Sequence, residues 1–288
     1  MIPLRDNLPT DSFPVVTAAI IAINVLVFLF LQGPSFSLSS GQEVDSKFIV
    51  EYGAIPYRIT HPGDRCRFVE VKDGGPTEEQ IFCEKTQGYR EAATLPTCGA
   101  AASGDVCRVP IRQPPSFLTL FTSMFLHGGW LHILFNMIFL WIFGNNVEDS
   151  MGKGRYIAFY LLGGLVAGLA QVAVSPDSTA PGVGASGAIA GVLGGYALLY
   201  PRARVLTLLF VFFIFLVEIP ALVLLGIWIF LQFLPAVGQL ASPDVGSQGG
   251  VAYFAHIGGF LFGLAAIKLF ATRRSAAYVG GGPKYPVY

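Results

Sequence analysis

The sequence predicts an all-α membrane protein, a bundle of six transmembrane helices with a large extracytoplasmic insert between helices 1 and 2. Apolar residues make up 53% of the 288 positions and charged residues 12%, which is unusual for a soluble domain. Several apolar runs reach the roughly 20 residues that a helix needs to cross about 30 Å of hydrocarbon. A long polar stretch, which holds every cysteine, separates the first run from the others.

The N-terminal part of the chain divides into three segments by composition. Residues 1–13 are short and polar and are predicted to be a cytoplasmic N-terminus. Residues 14–32 are predicted to form transmembrane helix 1, because the apolar run is too long for a signal-peptide core and lacks an A-x-A cleavage site. Residues 33–116 carry half of the basic residues and many turn formers, and they are predicted to be the extracytoplasmic insert.

Residues 117–272 are predicted to be the core that contains transmembrane helices 2–6. The predicted spans are about 131–147, 155–174, 184–200, 205–234 and 252–271. The run at 205–234 is long and contains Glu218 and Pro220, so we expect it to be tilted or to include a re-entrant portion. The tail, residues 273–288, is predicted to be disordered and cytoplasmic.

Basic residues in the short loops predict the orientation, because such loops stay preferentially in the cytoplasm. With the N-terminus inside, three basic pairs fall on the inner side: Lys153 and Arg155, Arg202 and Arg204, and Arg273 and Arg274. The loops at 175–182 and 242–250 fall outside and contain no Lys or Arg. The chain is therefore predicted to be a multi-pass protein of the plasma (inner) membrane with both termini cytoplasmic.

The four cysteines, Cys66, Cys83, Cys98 and Cys107, all lie in the insert. An even number of cysteines in an extracytoplasmic segment predicts disulfides, and the spacing lacks the C-x-x-C of a zinc site. Three pairings are possible, and unpaired thiols are the alternative. We expect no metal and no cofactor.

Polar residues at membrane depth are costly, so each is a candidate functional residue. In the second helix His132 and Asn136 are four residues apart and share one face, with His127 just before them. The alternative is that they make hydrogen bonds that hold helices together.

Ser186 lies between glycines at the start of the fourth helix. Gly184 and Gly187 allow close backbone approach, and a helix N-terminus offers free N–H groups where an oxyanion would form. The alternative is a serine within a face of small residues that packs against another helix.

Small residues repeat every four positions on two helices, which lets membrane helices pack backbone to backbone. They are Gly187, Gly191 and Gly195 on the fourth helix, and Ala255, Gly259 and Gly263 on the sixth. These two helices are predicted to touch, which would bring Ser186 within hydrogen-bond reach of His256.

A histidine is the side chain best suited to take the serine proton near neutral pH. No carboxylate is evident beside His256, so we predict a Ser–His dyad whose oxyanion donors are His132, Asn136 and the backbone N–H of Ser186.

Three motifs in this order resemble the rhomboid family of intramembrane serine proteases over about residues 117–271. They are His127-x4-His132-x3-Asn136, Gly184-x-Ser186-Gly187 and Ala255-His256-x2-Gly259-x3-Gly263. The resemblance implies a rhomboid-like bundle, Ser186 as nucleophile, His256 as base, and His132 and Asn136 as oxyanion stabilisers. His127, Gly184, Gly187 and Gly259 are expected to be structural at the site. The resemblance further implies a water-filled cavity open to the outer face, and substrates that are single-pass membrane proteins cut in or near the bilayer.

The chain departs from the family pattern at two places. Leu118 and Thr119 stand where the family often has a Trp-Arg pair, and Ala190 stands where it often has a tyrosine that packs on the catalytic histidine. Another group must therefore hold His256.

Two other functions compete with the protease. One is an inactive rhomboid-like protein that binds or escorts membrane clients, against which the presence of both Ser186 and His256 argues. The other is a transporter or channel, but the His/Asn motif has no repeat in a second half. Metalloprotease and intramembrane aspartyl-protease chemistry are excluded by the absence of H-E-x-x-H and of an intramembrane aspartate pair. The balanced charge, 18 basic and 18 acidic residues, indicates no nucleic-acid partner.

Overall fold

The computed structural model describes residues 1–33, 35–37, 41–43, 45–71, 78–98, 106–210, 214–241 and 251–272. The predicted tail at 273–288, with Arg273 and Arg274, and the predicted outer loop at 242–250 lie outside the described residues.

Helices dominate the described part of the chain. They are α1 (Val15–Leu26, continued by a π-helical turn at Val27–Leu31), α2 (Ser46–Tyr52), α3 (Pro56–Thr60), α4 (Tyr89–Thr94), α5 (Ser116–Thr122, followed by a 3-10 turn at Ser123–Phe125), α6 (Trp130–Met151), α7 (Lys153–Val174), α8 (Ser186–Leu199), α9 (Ala221–Ala241) and α10 (Tyr253–Phe270). The strands are β1 (Ile2–Asp6), β2 (Ser35–Ser37), β3 (Gly41–Glu43), β4 (Cys66–Val71), β5 (Glu78–Cys83), β6 (Val106–Val109), β7 (Arg204–Phe210) and β8 (Ile214–Pro220).

A helix occurs at each of the six positions where the sequence predicts a span. Among the described residues, four of these helices, α6, α7, α9 and α10, have the length and apolar composition needed to cross a membrane. The apolar helices at Val15–Leu31 and Ser186–Leu199 are shorter. Helix α8 lies at the centre of the bundle, buried along almost its whole length against α6, α7 and α10. The four long apolar helices are consistent with a rhomboid-like membrane bundle, while the count of six spans stays a prediction.

The predicted helix over 205–234 is wrong in its first half. Strands β7 (Arg204–Phe210) and β8 (Ile214–Pro220) pair antiparallel there, and the helix begins only at Ala221. Pro220 explains the boundary, since it lacks an N–H and disfavours helical conformation in the residue before it. Glu218 consequently lies on a strand, where its carboxylate is 3.6 Å from the Arg204 guanidinium.

The N-terminal segment forms part of a sheet, which its polar composition does not indicate. Strand β1 pairs antiparallel with β7, which gives a three-stranded sheet in the order β1-β7-β8. Asp6 at the end of β1 is buried and accepts hydrogen bonds from the Tyr196 hydroxyl (2.5 Å) and the Asn146 amide (2.8 Å). These two bonds attach the start of the chain to α8 and α6.

Helices α8 and α10 approach each other through their glycines, as their spacing predicts. A Cβ atom built on Gly259 would lie 2.1 Å from the Gly187 carbonyl oxygen, and one on Gly263 would lie 1.9 Å from that of Gly191. Only glycine allows backbones this close, so these positions determine how deeply the two helices interlock.

The insert has a small core of its own. Strands β5, β4 and β6 form an antiparallel sheet in that order. The buried apolar side chains of this core include Val50, Ile55 and Phe68. The four cysteines form the disulfides Cys66–Cys83 and Cys98–Cys107. The structure thus selects one of the three pairings that the sequence leaves open.

We expect the purified protein to expose no thiol until it is reduced. A maleimide reagent added in denaturant should label no cysteine before reduction and four after it, measured by intact mass. Reduction should also lower the unfolding temperature, because each disulfide restricts the unfolded chain and contributes roughly 2–4 kcal/mol. Labelling of all four cysteines without reductant would contradict both disulfides.

The insert is hydrogen-bonded to the loop that precedes Ser186. Ala54 and Gly182 form a β-bridge with N–H···O distances of 2.9 and 2.8 Å. The Thr60 hydroxyl donates to the Pro176 carbonyl at 2.9 Å. The insert and the 175–182 loop therefore lie at the same end of the bundle.

Candidate active site

Ser186 and His256 meet at one end of the bundle. Ser186 is the first residue of α8, and His256 lies in the first turn of α10. Because these helices pack closely through their glycines, Ser186 Oγ lies 2.7 Å from His256 Nε2. That distance fits a strong O–H···N hydrogen bond, the contact through which a histidine takes a serine proton.

Gly184 gives the loop before Ser186 its shape. Its φ of +129° lies in the region that side chains disfavour, and its N–H donates to the Ser123 carbonyl at 2.9 Å. A Cβ at this position would lie 2.9 Å from His132 Nε2 and 3.4 Å from Ser186 Oγ. Both the conformation and the lack of space require glycine here.

His132 and Asn136 line the same cavity as Ser186 and His256, with a volume of about 520 Å³. The Gly128 N–H donates to His132 Nδ1 at 3.2 Å, so in the neutral ring the proton is on Nε2, the nitrogen near Gly184. The Asn136 amide donates to the His132 carbonyl at 2.9 Å. His132 therefore has an N–H donor on the side of Gly184, while the Asn136 amide donates within α6 and its side chain lines the cavity.

His127 is fully buried next to the residues that line the cavity. Its ring packs edge-on against the rings of Phe28 and His132. Its backbone N–H donates to Gln32 Oε1 (2.9 Å) and its carbonyl accepts from Gln32 Nε2 (2.8 Å). This pair of bonds joins the end of helix α1 to the segment that carries His132.

Gly187 and Gly259, the other two predicted structural glycines, lie where α8 crosses α10. A Cβ on Gly187 would lie 2.7 Å from the Ala167 Cβ of α7, so this glycine also lets α7 approach. The positions predicted to be structural are thus in close contacts around the serine and histidine.

Two residues of α9 that the sequence did not indicate complete the surroundings of His256. Gln232 Oε1 lies 2.9 Å from His256 Nδ1, and the Trp228 ring lies 5.7 Å from the imidazole, centroid to centroid. Ala190, where the family often has a tyrosine, packs instead toward Gly259. A glutamine within an apolar helix is itself a candidate functional residue. Because the start of this helix was predicted wrongly, the sequence did not show that Gln232 lies level with His256.

Candidate metal ligands are found away from the cavity. In the described part of the chain, Glu70, Cys98 and Cys107 have their ligand atoms close together. Both cysteines are in a disulfide and offer no thiolate, which is the form that binds metal.

Comparison with known proteins gives consistent matches. The family model "Rhomboid domain" matches residues 114–273. The chain is 31% identical over 157 residues to Rhomboid protein 1, mitochondrial, of Saccharomyces cerevisiae, which covers 52% of this chain and 40% of that protein. It is 44% identical over 81 residues to Rhomboid protease GluP of Bacillus subtilis, which covers 28% and 15%.

A third relative is the Presenilin-associated rhomboid-like protein, mitochondrial, of Mus musculus, 27% identical over 147 residues that make up 49% of this chain and 35% of that protein. The chain thus spans less than half the length of each of these three relatives. The domain match covers more than half of the chain and includes every residue of the cavity described above. This protein is an integral membrane protein that belongs to the rhomboid family.

Proposed function

We propose that this protein is an intramembrane serine endopeptidase that cuts single-pass membrane proteins in or near the bilayer with a Ser186–His256 dyad. The observation that carries the proposal is the 2.7 Å contact between Ser186 Oγ and His256 Nε2. Many members of the rhomboid family are serine proteases, and GluP is named a rhomboid protease. No cofactor takes part in the proposed reaction.

In the proposed mechanism, His256 Nε2 takes the hydroxyl proton as Ser186 Oγ attacks the scissile carbonyl carbon. The carbonyl oxygen becomes an oxyanion, which accepts hydrogen bonds from the Ser186 N–H, His132 Nε2–H and the Asn136 amide. Collapse of this intermediate breaks the C–N bond, and His256 returns its proton to the leaving amine. Water, deprotonated by His256, then hydrolyses the acyl ester and regenerates Ser186.

The position of the insert supports the proposed topology. The insert contacts the 175–182 loop, which the charge pattern assigns to the outer side, so both fall on the extracytoplasmic side. Arg155 contacts the Phe270 carbonyl at the end of α10, and this end is assigned to the cytoplasm. Two of the compared relatives are named mitochondrial, so the plasma membrane stays a prediction.

The experiment that tests the function is a cleavage assay in liposomes. The purified protein and its Ser186→Ala variant are incubated with single-span helices that differ in the small residues near the outer interface. A protease yields two fragments with the wild type and none with the variant. Stable capture of a helix by both proteins, without fragments, would instead support the inactive rhomboid-like protein that binds or escorts clients.

Replacement of Asn136 by alanine is expected to lower kcat by about a hundredfold, because the oxyanion loses one hydrogen-bond donor. KM should change little, since the donor acts mainly on the charge that develops in the transition state. The measurement is steady-state cleavage in liposomes, with Asn145→Ala on the same helix, outside the cavity, as the control. An unchanged kcat together with a lower unfolding temperature would assign Asn136 to helix packing.

A further inference from the structure

We propose that Gln232 is a positioning residue that holds the His256 imidazole in the tautomer and orientation needed by a general base. This inference rests on the proposed protease function and deepens it. It answers what steadies His256 in a chain with Ala190 at the position of the family tyrosine. The observation is the 2.9 Å contact between Gln232 Oε1 and His256 Nδ1.

The direction of the hydrogen bonds follows from the partners of the glutamine amide. Gln232 Nε2 lies 3.3 Å from the Trp228 carbonyl one turn earlier in α9. A carbonyl only accepts, so the amide NH2 group faces Trp228 and the amide oxygen faces His256. His256 Nδ1 must then carry the ring proton, which leaves the lone pair of Nε2 free to accept the proton of Ser186.

The amide suits the environment of this contact. A carboxylate would bring a charge into the apolar interface between α9 and α10, which is expensive without a paired cation. A glutamine fixes the tautomer without that cost. Among the described residues, Gln232 is the side chain that hydrogen-bonds Nδ1, while the Trp228 ring, tilted by 38°, packs beside the imidazole.

The contact also explains how α9 takes part in the site. This helix is the least buried of the four long apolar helices, and it packs mainly against α10. Through Gln232 and Trp228, one apolar helix supplies both a hydrogen bond and a ring contact to His256. The three residues Ser186, His256 and Gln232 therefore form a chain of hydrogen bonds across α8, α10 and α9.

The test compares Gln232→Leu, which removes the acceptor, with Gln232→Glu, which retains one. Phe233→Leu, an exposed neighbour on the same helix, is the control. We expect Gln232→Leu to lower kcat by roughly a hundredfold or more, because the wrong histidine tautomer cannot accept the serine proton. KM and the unfolding temperature should stay near those of Phe233→Leu, and Gln232→Glu should recover at least a tenfold part of the lost rate.

A wild-type kcat in Gln232→Leu overturns the inference, as does an equal loss in both variants that tracks a lower unfolding temperature. The tautomer itself is read by nitrogen NMR of protein labelled with ¹⁵N-histidine, with the His256 signals assigned from a His256→Gln variant. We expect protonation at Nδ1 in the wild type and a change in Gln232→Leu. Protonation at Nε2 in the wild type also overturns the inference. This readout does not depend on cleavage, so it separates failure of the inference from failure of the proposed protease function.

Discussion

Ser186→Ala and His256→Ala are each expected to lower the cleavage rate at least about a thousandfold, and the double variant to be no slower than either single variant. The reason is that nucleophile and base act as one unit: without the histidine the hydroxyl is a weak nucleophile, and without the hydroxyl the histidine has no proton to take. The measurement is the single-turnover rate on a single-span substrate in liposomes, together with the unfolding temperature of each variant.

Two controls separate loss of chemistry from loss of fold. Ser178→Ala changes a serine in the loop that contacts the insert, and His61→Ala changes a histidine in the insert that stacks on Tyr57. Both should retain the wild-type rate within a small factor. Cleavage that survives both dyad substitutions would refute the dyad, and additive losses in the double variant would mean that the two residues act independently.

The contact between Ser186 and His256 could be predicted because the glycines that let their two helices approach repeat at a regular spacing along each helix. A spacing of four residues places Gly187 and Gly191 on one face of α8, and the same spacing places Gly259 and Gly263 on one face of α10. Local periodicity thus contains the information that these faces can meet. The position of Ser186 and His256 near the same end of their helices then follows from the topology.

Gln232 could not be found in the same way. The run at 205–234 is apolar at almost every position, so it has no hydrophobic periodicity that distinguishes a strand from a helix. Because the sequence did not show that the helix begins after Pro220, the distance of Gln232 from the start of its helix was not known. Its contact with His256 depends on where α9 begins.

Contacts between segments that are far apart in the chain could not be predicted from the sequence either. Pairing of β1 with β7 joins residues about two hundred positions apart, and the bridge between Ala54 and Gly182 joins the insert to the loop before the serine. Neither has a local pattern that selects the partner. The pairing of the cysteines likewise depends on the sheet, in which Cys66 and Cys83 occupy facing positions of β4 and β5.

Gly263→Ala is expected to be the most damaging change outside the dyad, although it adds a single methyl group. The new Cβ would lie 1.9 Å from the Gly191 oxygen and 2.9 Å from the Gly195 nitrogen. Both are backbone atoms of α8, so no side-chain rotation relieves the overlap and the helices must separate. Overpacking of this kind costs about 1–3 kcal/mol or more, and we expect the unfolding temperature to fall accordingly.

Separation of α8 from α10 also moves His256 away from Ser186. A displacement of about 1 Å is enough to reduce a rate roughly a hundredfold, so the folded fraction of Gly263→Ala should cleave substrate at about that reduced rate.

The matched control is Gly226→Ala on α9, an exposed position where a Cβ meets no atom within 4 Å. There the same substitution favours the helix by up to about 1 kcal/mol. Equal rates and equal unfolding temperatures for the two variants would mean that the glycine interface does not position the dyad, whereas a loss confined to Gly263→Ala ties the alignment of Ser186 and His256 to the absence of one methyl group.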